Sequence, residues 1–317
     1  NVAEKYSLKV HRNMEGVNLR GGVPKDGASR IARHYQYSLS KAFEEHPDAP
    51  AIIIVEDDLL FSPDFYAYFR ANAFVLEQDP SLFLISAWND NGFRGKVRDP
   101  FAIQRTEYFP GLGWLLPREL YKEELEAKWP KSHWDHWLRS FEVNKGREIA
   151  YPQVPRSFHN GIKGTFMDLN THNRYFRDID YNRQPLQWET TAMSGSGAEV
   201  DGIHSYLYAT RAVYDARLEQ LMHRCTHVSA VEDIFKGPNI YCIWLNLDPE
   251  PGGNQVQEFQ KIGGFFGLWH EHRRGSHRGV HEFYYMDSYI LTINLWDKRN
   301  RRSSEKHVVT FADRSEE

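Results

Sequence analysis

The sequence predicts an α/β layered domain followed by a smaller α+β domain, and three observations carry that expectation. Up to about Phe166, helix-like and strand-like segments alternate, the pattern of helices layered on a sheet. Two short apolar runs, Ala51 to Val55 and Leu82 to Ala87, are too short for core helices, and the first is rich in β-branched residues, so both read as fully buried strands. From about Asn170 to Glu199 the periodicity is lost among Asn, Arg, Thr, Ser and Gly, and a second set of elements follows. The expected boundaries are therefore 1–169 for the first domain, 170–200 for a linker, 201–296 for the second domain and 297–317 for a polar tail.

Each element has its own warrant. Ile31, Tyr35, Leu39, Ala42 and Phe43 recur near the 3.6-residue period and make Ser29 to Glu45 an amphipathic helix, which stops at His46-Pro47-Asp48. Beyond the first strand, Ser62-Pro63-Asp64 opens a helix with Pro at its first position and an acid in its first turn, carrying Phe65, Phe69 and Leu76 inward. Pro117 to Lys128 and Ser132 to Arg139 read as further helices. The second half carries a helix near Ile203 to Cys225, a strand at Ile240 to Leu247, a helix at Val256 to Phe265, and a hairpin over Val280 to Leu295 turning at Met286-Asp287-Ser288. Cys225 and Cys242 either form one disulfide or stay as buried thiols, and their spacing leaves both open.

Composition excludes some partners. Across 317 residues, 39 Lys+Arg stand against 43 Asp+Glu, a net charge of −4, so nothing electrostatic favours nucleic acid or an anionic membrane. Aromatics make up 14% of the chain, a supply of amphipathic rings suited to stacking on sugars or bases but also to a large core. No apolar run approaches the roughly 20 residues of a membrane helix, so this segment is not expected to span a bilayer. The chain starts at Asn1 without a charged and apolar leader, and any targeting or anchor segment is expected outside it.

The sharpest chemical feature is Glu56-Asp57-Asp58, directly after the first strand. Ligands of open α/β sheets bind beyond the carboxyl ends of strands, and hard cations such as Mn²⁺ or Mg²⁺ take carboxylate oxygens while leaving positions for water and phosphates. The alternative is an acidic helix start or a solvated loop. Ser86-Ala-Trp-Asn-Asp-Asn-Gly92 follows the second strand and is either a turn or part of the same mouth. Pro110-Gly-Leu-Gly-Trp114 permits close backbone approach to a ligand or a tight buried crossing. Trp134-Asp135-His136-Trp137 places an acid between two indoles, the setting of a general base beside a sugar platform or simply of a helix with a Trp core face. Arg139 and Arg147 could serve a phosphate. His270, His272, His277 and His281 have a spacing open to Zn²⁺, but Arg273, Arg274 and Arg278 crowd the same loop.

Five of these motifs occur in one order: Ile31-Ala-Arg-His-Tyr35; Val55-Glu-Asp-Asp-Leu59 with Pro63-Asp64-Phe65; Ser86 to Gly92; Phe109-Pro-Gly-Leu-Gly-Trp114; and Leu125-Glu-Ala-Lys-Trp-Pro130 with Trp134-Asp135. Together they resemble the inverting mannoside β-1,2-N-acetylglucosaminyltransferases, a family with N-glycan and protein O-mannose branches. The resemblance is close over Gly27 to Gly164, thin through the linker, and returns at Gly267-Leu-Trp269 and Arg274-Gly-Ser-His-Arg-Gly279. Asn91-Gly92 and Phe109 are nearer to the N-glycan branch. Leu120 to Glu126, Arg156-Ser-Phe-His159 and Trp269 to Gly279 are nearer to the O-mannose branch, toward which the balance leans slightly.

The resemblance implies a GT-A-like nucleotide-sugar fold, UDP-N-acetylglucosamine as donor, Mn²⁺ as cofactor, a mannose-bearing glycoprotein as acceptor, and the Golgi lumen as location. Position by position it makes Asp58 the metal-binding acid and Asp135 the catalytic base. Glu56, Asp57 and His34 fall at the donor nucleotide, Leu112 and Trp134 at the sugar pocket, Arg147 at a basic position near the donor, and Arg278 at a contact from the second domain. Two departures accompany it. The 26 residues ahead of Gly27 are too few for the family's first strand–helix unit, so an N-terminally truncated catalytic domain is expected, and Phe166 replaces a small or polar residue in the loop that closes over the donor. The competing function class is a sugar-binding module without turnover, which would need the aromatic pocket but not both Asp58 and Asp135.

Overall fold

The structure is a computed structural model and describes residues 2–13, 26–188, 199–200, 203–204, 208–228, 233–234, 238–250, 252–297 and 300. Nearly all of the expected polar tail, the end of the aperiodic stretch, and residues 14–25 ahead of Gly27 lie outside the described residues. The chain forms two compact units, Asn1–Ile52 with Leu116–Val143 and Ile53–Leu115 with Asn144–Glu317. The architecture is mixed α/β, with several sheets.

The first unit is built on helix Gly27–Glu45, whose buried face is Ala28, Ala32, Tyr35, Leu39 and Phe43. It begins two residues before the apolar period because Asp26 is a ready N-cap, its Oδ1 accepting from the Ser29 amide at 2.8 Å. Trp129 closes on this face, donating Nε1–H to the Ala32 carbonyl at 2.9 Å. Phe43 stacks on Tyr121 with centroids 5.2 Å apart. At the far end Arg118 donates to the carbonyls of Phe43, His46 and Ala49, placing a cation on the orphan acceptors of a helix C-terminus. The helix expected over Pro117 to Lys128 is a π-helical turn, Leu120–Leu125, running into a 3₁₀ turn, Glu126–Lys128. It stops at Trp129, which is extended (φ −55°, ψ 131°) because Pro130 follows.

The central sheet contains β1 (Ala51–Ile54), β3 (Leu82–Ser86), β4 (Ile103–Thr106), β5 (Trp114–Pro117) and β6 (Glu148–Pro152), in the order β1-β5-β3-β6-β4. Between them in the chain lies β2 (Leu59–Phe61), which pairs antiparallel with β7 (Ser157–His159). The unit boundary passes through β1 and β5. β3 is buried throughout, as expected of a central strand. β1 corrects the expectation of full burial, since every residue of it is half-buried and Val55 is 50% exposed. Its hydrophobic run marks an edge position, where only one side is covered by a neighbouring strand.

Asp64 also departs from its expected role. It precedes helix Phe65–Asn72 but makes no capping bond. Its carboxylate is 2% exposed and accepts from Arg156 Nε at 2.9 Å, Trp188 Nε1 at 2.8 Å and Asn182 Nδ2 at 2.7 Å. A buried charge needs such partners, and here they staple the helix start to the segments after β6. Part of the aperiodic stretch is likewise ordered. Asp168 caps helix Leu169–Tyr175 by accepting from the Thr171 amide at 2.7 Å, a helix too short to leave a period in the sequence.

The Trp88 to Gly92 turn resolves as an internal tether of the second unit. Trp88, Asn89, Asp90 and Asn91 are buried. Asn89 donates to the Gln153 carbonyl, Asn91 donates to the Arg274 carbonyl and accepts from the Trp269 amide, and Asp90 pairs with Arg274 at 2.9 Å. Arg274 in turn lies over the Trp269 ring at 4.1 Å. These polar side chains are spent on packing.

A hairpin of two-residue strands, β8 (Glu199–Val200) and β9 (Ile203–His204), precedes helix Arg211–Arg224, which is shorter than the predicted Ile203 to Cys225. The last sheet has β10 (Thr226–His227), β11 (Ile240–Leu245), β12 (Val280–Tyr285) and β13 (Ser288–Asn294) in the order β10-β11-β13-β12. β12 and β13 form the predicted hairpin, with β11 parallel to β13. Helix Gln255–Phe266 buries Phe259, Ile262 and Phe266 against this sheet's Tyr241, Ile243, Phe283 and Ile290. Cys225 and Cys242 form a disulfide with Cα atoms 5.6 Å apart, joining the end of a helix to β11. Closing a loop of this length contributes about 3 kcal/mol.

His277 is buried between two acids, its Nε2 2.8 Å from Asp215 Oδ1 and its Nδ1 3.2 Å from Glu148 Oε1. Burial pulls its pKa down, but the two carboxylates prevail and raise it above the ordinary value. Burial would likewise raise Glu148, yet His277 and Arg105 bring it down to about 2. A raised histidine stabilises the fold fully below its unfolded pKa of about 6.5 and loses that contribution as pH rises through the folded value. The stability deficit of His277→Gln should therefore be greatest near pH 6 and shrink toward pH 9 (about three pH units of window). Denaturant unfolding at both pH values checks this, and a deficit independent of pH would contradict it.

Candidate active site

In the second unit, β1 ends and Glu56-Asp57-Asp58 carries the chain into β2. Asp57 is exposed and Glu56 half-buried. The β2–β7 register sets Leu59 opposite His159, and the Asn160 amide donates to the Asp58 carbonyl at 2.8 Å. The pairing brings His159 Nε2 to 3.2 Å from Asp58 Oδ2. The Asp58 side chain is 37% exposed, yet its Oδ1 is buried with no hydrogen-bond partner. His159 is buried, and burial outweighs the neighbouring carboxylate to hold the ring below the ordinary histidine pKa, so it is neutral at pH 7.

The orphaned oxygen tests whether a cation fits. Among the described residues no group of three or more His, Cys, Asp and Glu could hold a metal by itself. One buried, unpartnered carboxylate oxygen is what remains when most of a coordination shell comes from water and substrate phosphates, the habit of Mg²⁺-like ions. A single bare carboxylate oxygen is compatible with a hard divalent cation, and among the described residues no zinc cage forms. Three of the four rings are otherwise engaged: His270 Nδ1 bonds to the Tyr175 hydroxyl, His281 Nε2 donates to the His272 carbonyl, and His277 faces its two acids.

Leu112 lies in a left-handed turn in which Gly111, Leu112 and Gly113 have φ of 69°, 56° and 91°. For a leucine this is a strained conformation of the kind that gathers at ligand sites. At Gly113 a Cβ would meet the Phe65 ring at 3.3 Å, a tight contact in a backbone conformation that favours glycine. The Leu112 side chain packs against Trp88, Phe176, Ile179 and Trp269, and its carbonyl accepts from Ser157 Oγ at 2.5 Å. Arg147 donates Nε–H to the Asn144 carbonyl at 3.0 Å and lies over the Phe83 ring. Arg278 is paired with Asp215 at 2.5 Å. Phe166 is 65% exposed. A cavity of about 320 Å³ at the β4 edge, the opposite end of the sheet order from β1, is lined by Gln104, Arg217, Tyr284 and Tyr289 and takes in none of these residues.

The first unit holds His34, Trp134 and Asp135. His34 is on the exposed face of helix Gly27–Glu45. Trp134 is 8% exposed and stacks on Tyr35 at 4.0 Å, with Trp129 behind it at 6.2 Å. The chain enters helix Trp134–Leu138 through His133 in the left-handed region (φ 47°). One turn later, Arg139 Nη1 donates to Asp135 Oδ2 at 2.6 Å. The Asp135 side chain is 34% exposed, and Oδ1 has no partner among the described residues. A carboxylate fixed by one oxygen and open at the other can accept a proton.

His159 was missed as a site residue by sequence reasoning. The only signal was its place in the Arg156-Ser-Phe-His159 motif, because its proximity to Asp58 arises from strand pairing across about a hundred residues.

The GNT-I family profile matches residues 13–200, a span that includes every predicted site residue except Arg278. The alpha-1,3-mannosyl-glycoprotein 2-beta-N-acetylglucosaminyltransferase of Arabidopsis thaliana is 32% identical over 253 residues, which are 80% of this chain and 52% of that protein. The chain spans about half the length of that curated relative. Among the described residues no helix is long and apolar enough to cross a membrane. With the profile covering more than half of the chain and the acidic strand end, the strained Leu112 turn and the Trp134-Asp135 helix all within it, the chain belongs to the GNT-I family.

Proposed function

We propose that this chain is the GT-A-like catalytic part of an inverting transferase that moves N-acetylglucosamine from UDP-N-acetylglucosamine to the 2-hydroxyl of a mannose on glycoprotein glycans, in the Golgi lumen, with Mn²⁺ as cofactor. The observation that carries the reading is the buried, unpartnered Oδ1 of Asp58 at a strand end of a GNT-I family chain. Asp58 would hold the cation, with Glu56 and Asp57 beside the donor nucleotide. Bound there, Mn²⁺ supplies Lewis-acid neutralisation of the diphosphate leaving group. Asp135 Oδ1 takes the proton of the mannose 2-hydroxyl as that oxygen attacks the anomeric carbon, and Arg139 keeps the carboxylate oriented. Trp134 would offer its ring to the sugar, and a single displacement turns the α-linked donor into a β product. Titration of UDP with and without Mn²⁺ tests the reading. Metal-dependent UDP binding is expected, whereas sugar binding without it would favour a binding module.

A further inference from the structure

Asp58 does not stand alone. Its Oδ2 is 3.2 Å from His159 Nε2, its main-chain carbonyl accepts the Asn160 amide, and Gly161 packs so close that an added Cβ would lie 2.7 Å from Oδ2 and 3.0 Å from the His159 ring. The contact is set by the β2–β7 pairing. His159 Nδ1 is buried with no partner, so a doubly protonated ring would leave an N–H unsatisfied. A neutral ring that keeps its proton on Nε2 places that N–H beside Oδ2, 3.2 Å away. One carboxylate oxygen is then in contact with the protein and the other, Oδ1, is left bare.

We propose that His159 is a positioning residue for the cation site: it anchors Asp58 Oδ2 so that Oδ1 is presented to the metal, and Gly161 keeps the space this requires. The inference rests on the transferase reading above. Carboxylate ligands of metals are commonly held by such outer hydrogen bonds, and removing one typically costs about 10- to 100-fold in metal affinity. Gln carries a terminal amide that can replace the Nε2–H donor, whereas Ala cannot.

The test is titration of UDP in the presence and absence of Mn²⁺, on the intact protein, for wild type, His159→Ala, His159→Gln and Gly161→Ala, with denaturant unfolding as a control. His159→Ala and Gly161→Ala should each weaken Mn²⁺-dependent UDP binding by about 10- to 100-fold, metal-free UDP binding should not move, and His159→Gln should recover most of the loss. If His159→Ala unfolds, the Gln and Gly161 variants decide by the same readout. Wild-type Mn²⁺–UDP affinity in His159→Ala or Gly161→Ala overturns the inference, as does a loss in His159→Ala that Gln fails to repair. Wild type that binds UDP equally with and without Mn²⁺ overturns the transferase reading itself, a failure visible before any variant is compared.

Discussion

Asp135→Asn should lower the turnover of N-acetylglucosamine transfer by about 10²- to 10⁴-fold, the usual contribution of a general base, while UDP affinity stays near wild type. Asn keeps the shape and can still hydrogen-bond the mannose hydroxyl, but it has no basic site for the proton. Arg139 sharpens the expectation, because its guanidinium holds Oδ2 at 2.6 Å and leaves Oδ1 as the accepting atom. Transfer to a mannoside, measured in the intact protein, checks it. A variant retaining more than about a tenth of wild-type turnover would pass the role to another group, the exposed His136 on the same helix being the nearest in sequence.

Asp58→Ala should abolish Mn²⁺-dependent UDP binding and leave the unfolding midpoint close to wild type. The side chain is 37% exposed and its Oδ1 makes no hydrogen bond, so the fold gains little from it. Paired calorimetric titrations with and without metal give the result directly. Unchanged metal-dependent affinity in a folded variant would remove Asp58 from the cation site.

Local signals carried much of this molecule. The period of Tyr35, Leu39 and Phe43, the buried run of β3 and the turn at Met286 depend on near neighbours, and all three produce the elements they predict. β1 was harder. An apolar run of β-branched residues records that a strand is present but not whether one or two strands flank it, and its edge position follows from strand order alone. Asp64 reads as a helix-start acid because Pro63 precedes it, whereas its partners Arg156, Asn182 and Trp188 come from more than ninety residues away. The site divides the same way. Asp58, Leu112 and Asp135 each lie in a motif whose local chemistry is visible, but the neighbours that orient them, His159 through strand pairing and Arg139 through one helical turn, were not assigned those roles.

The central claim is transfer to the mannose 2-hydroxyl with inversion, and the product's linkage tests it most directly. Proton NMR of the product formed from UDP-N-acetylglucosamine and an α-mannoside, with the intact protein and Mn²⁺, should show one new N-acetylglucosamine residue in β configuration on mannose O2, formed only when the metal is present. An α linkage, attachment at another hydroxyl, or donor bound in a metal-dependent way with no product at all would contradict it.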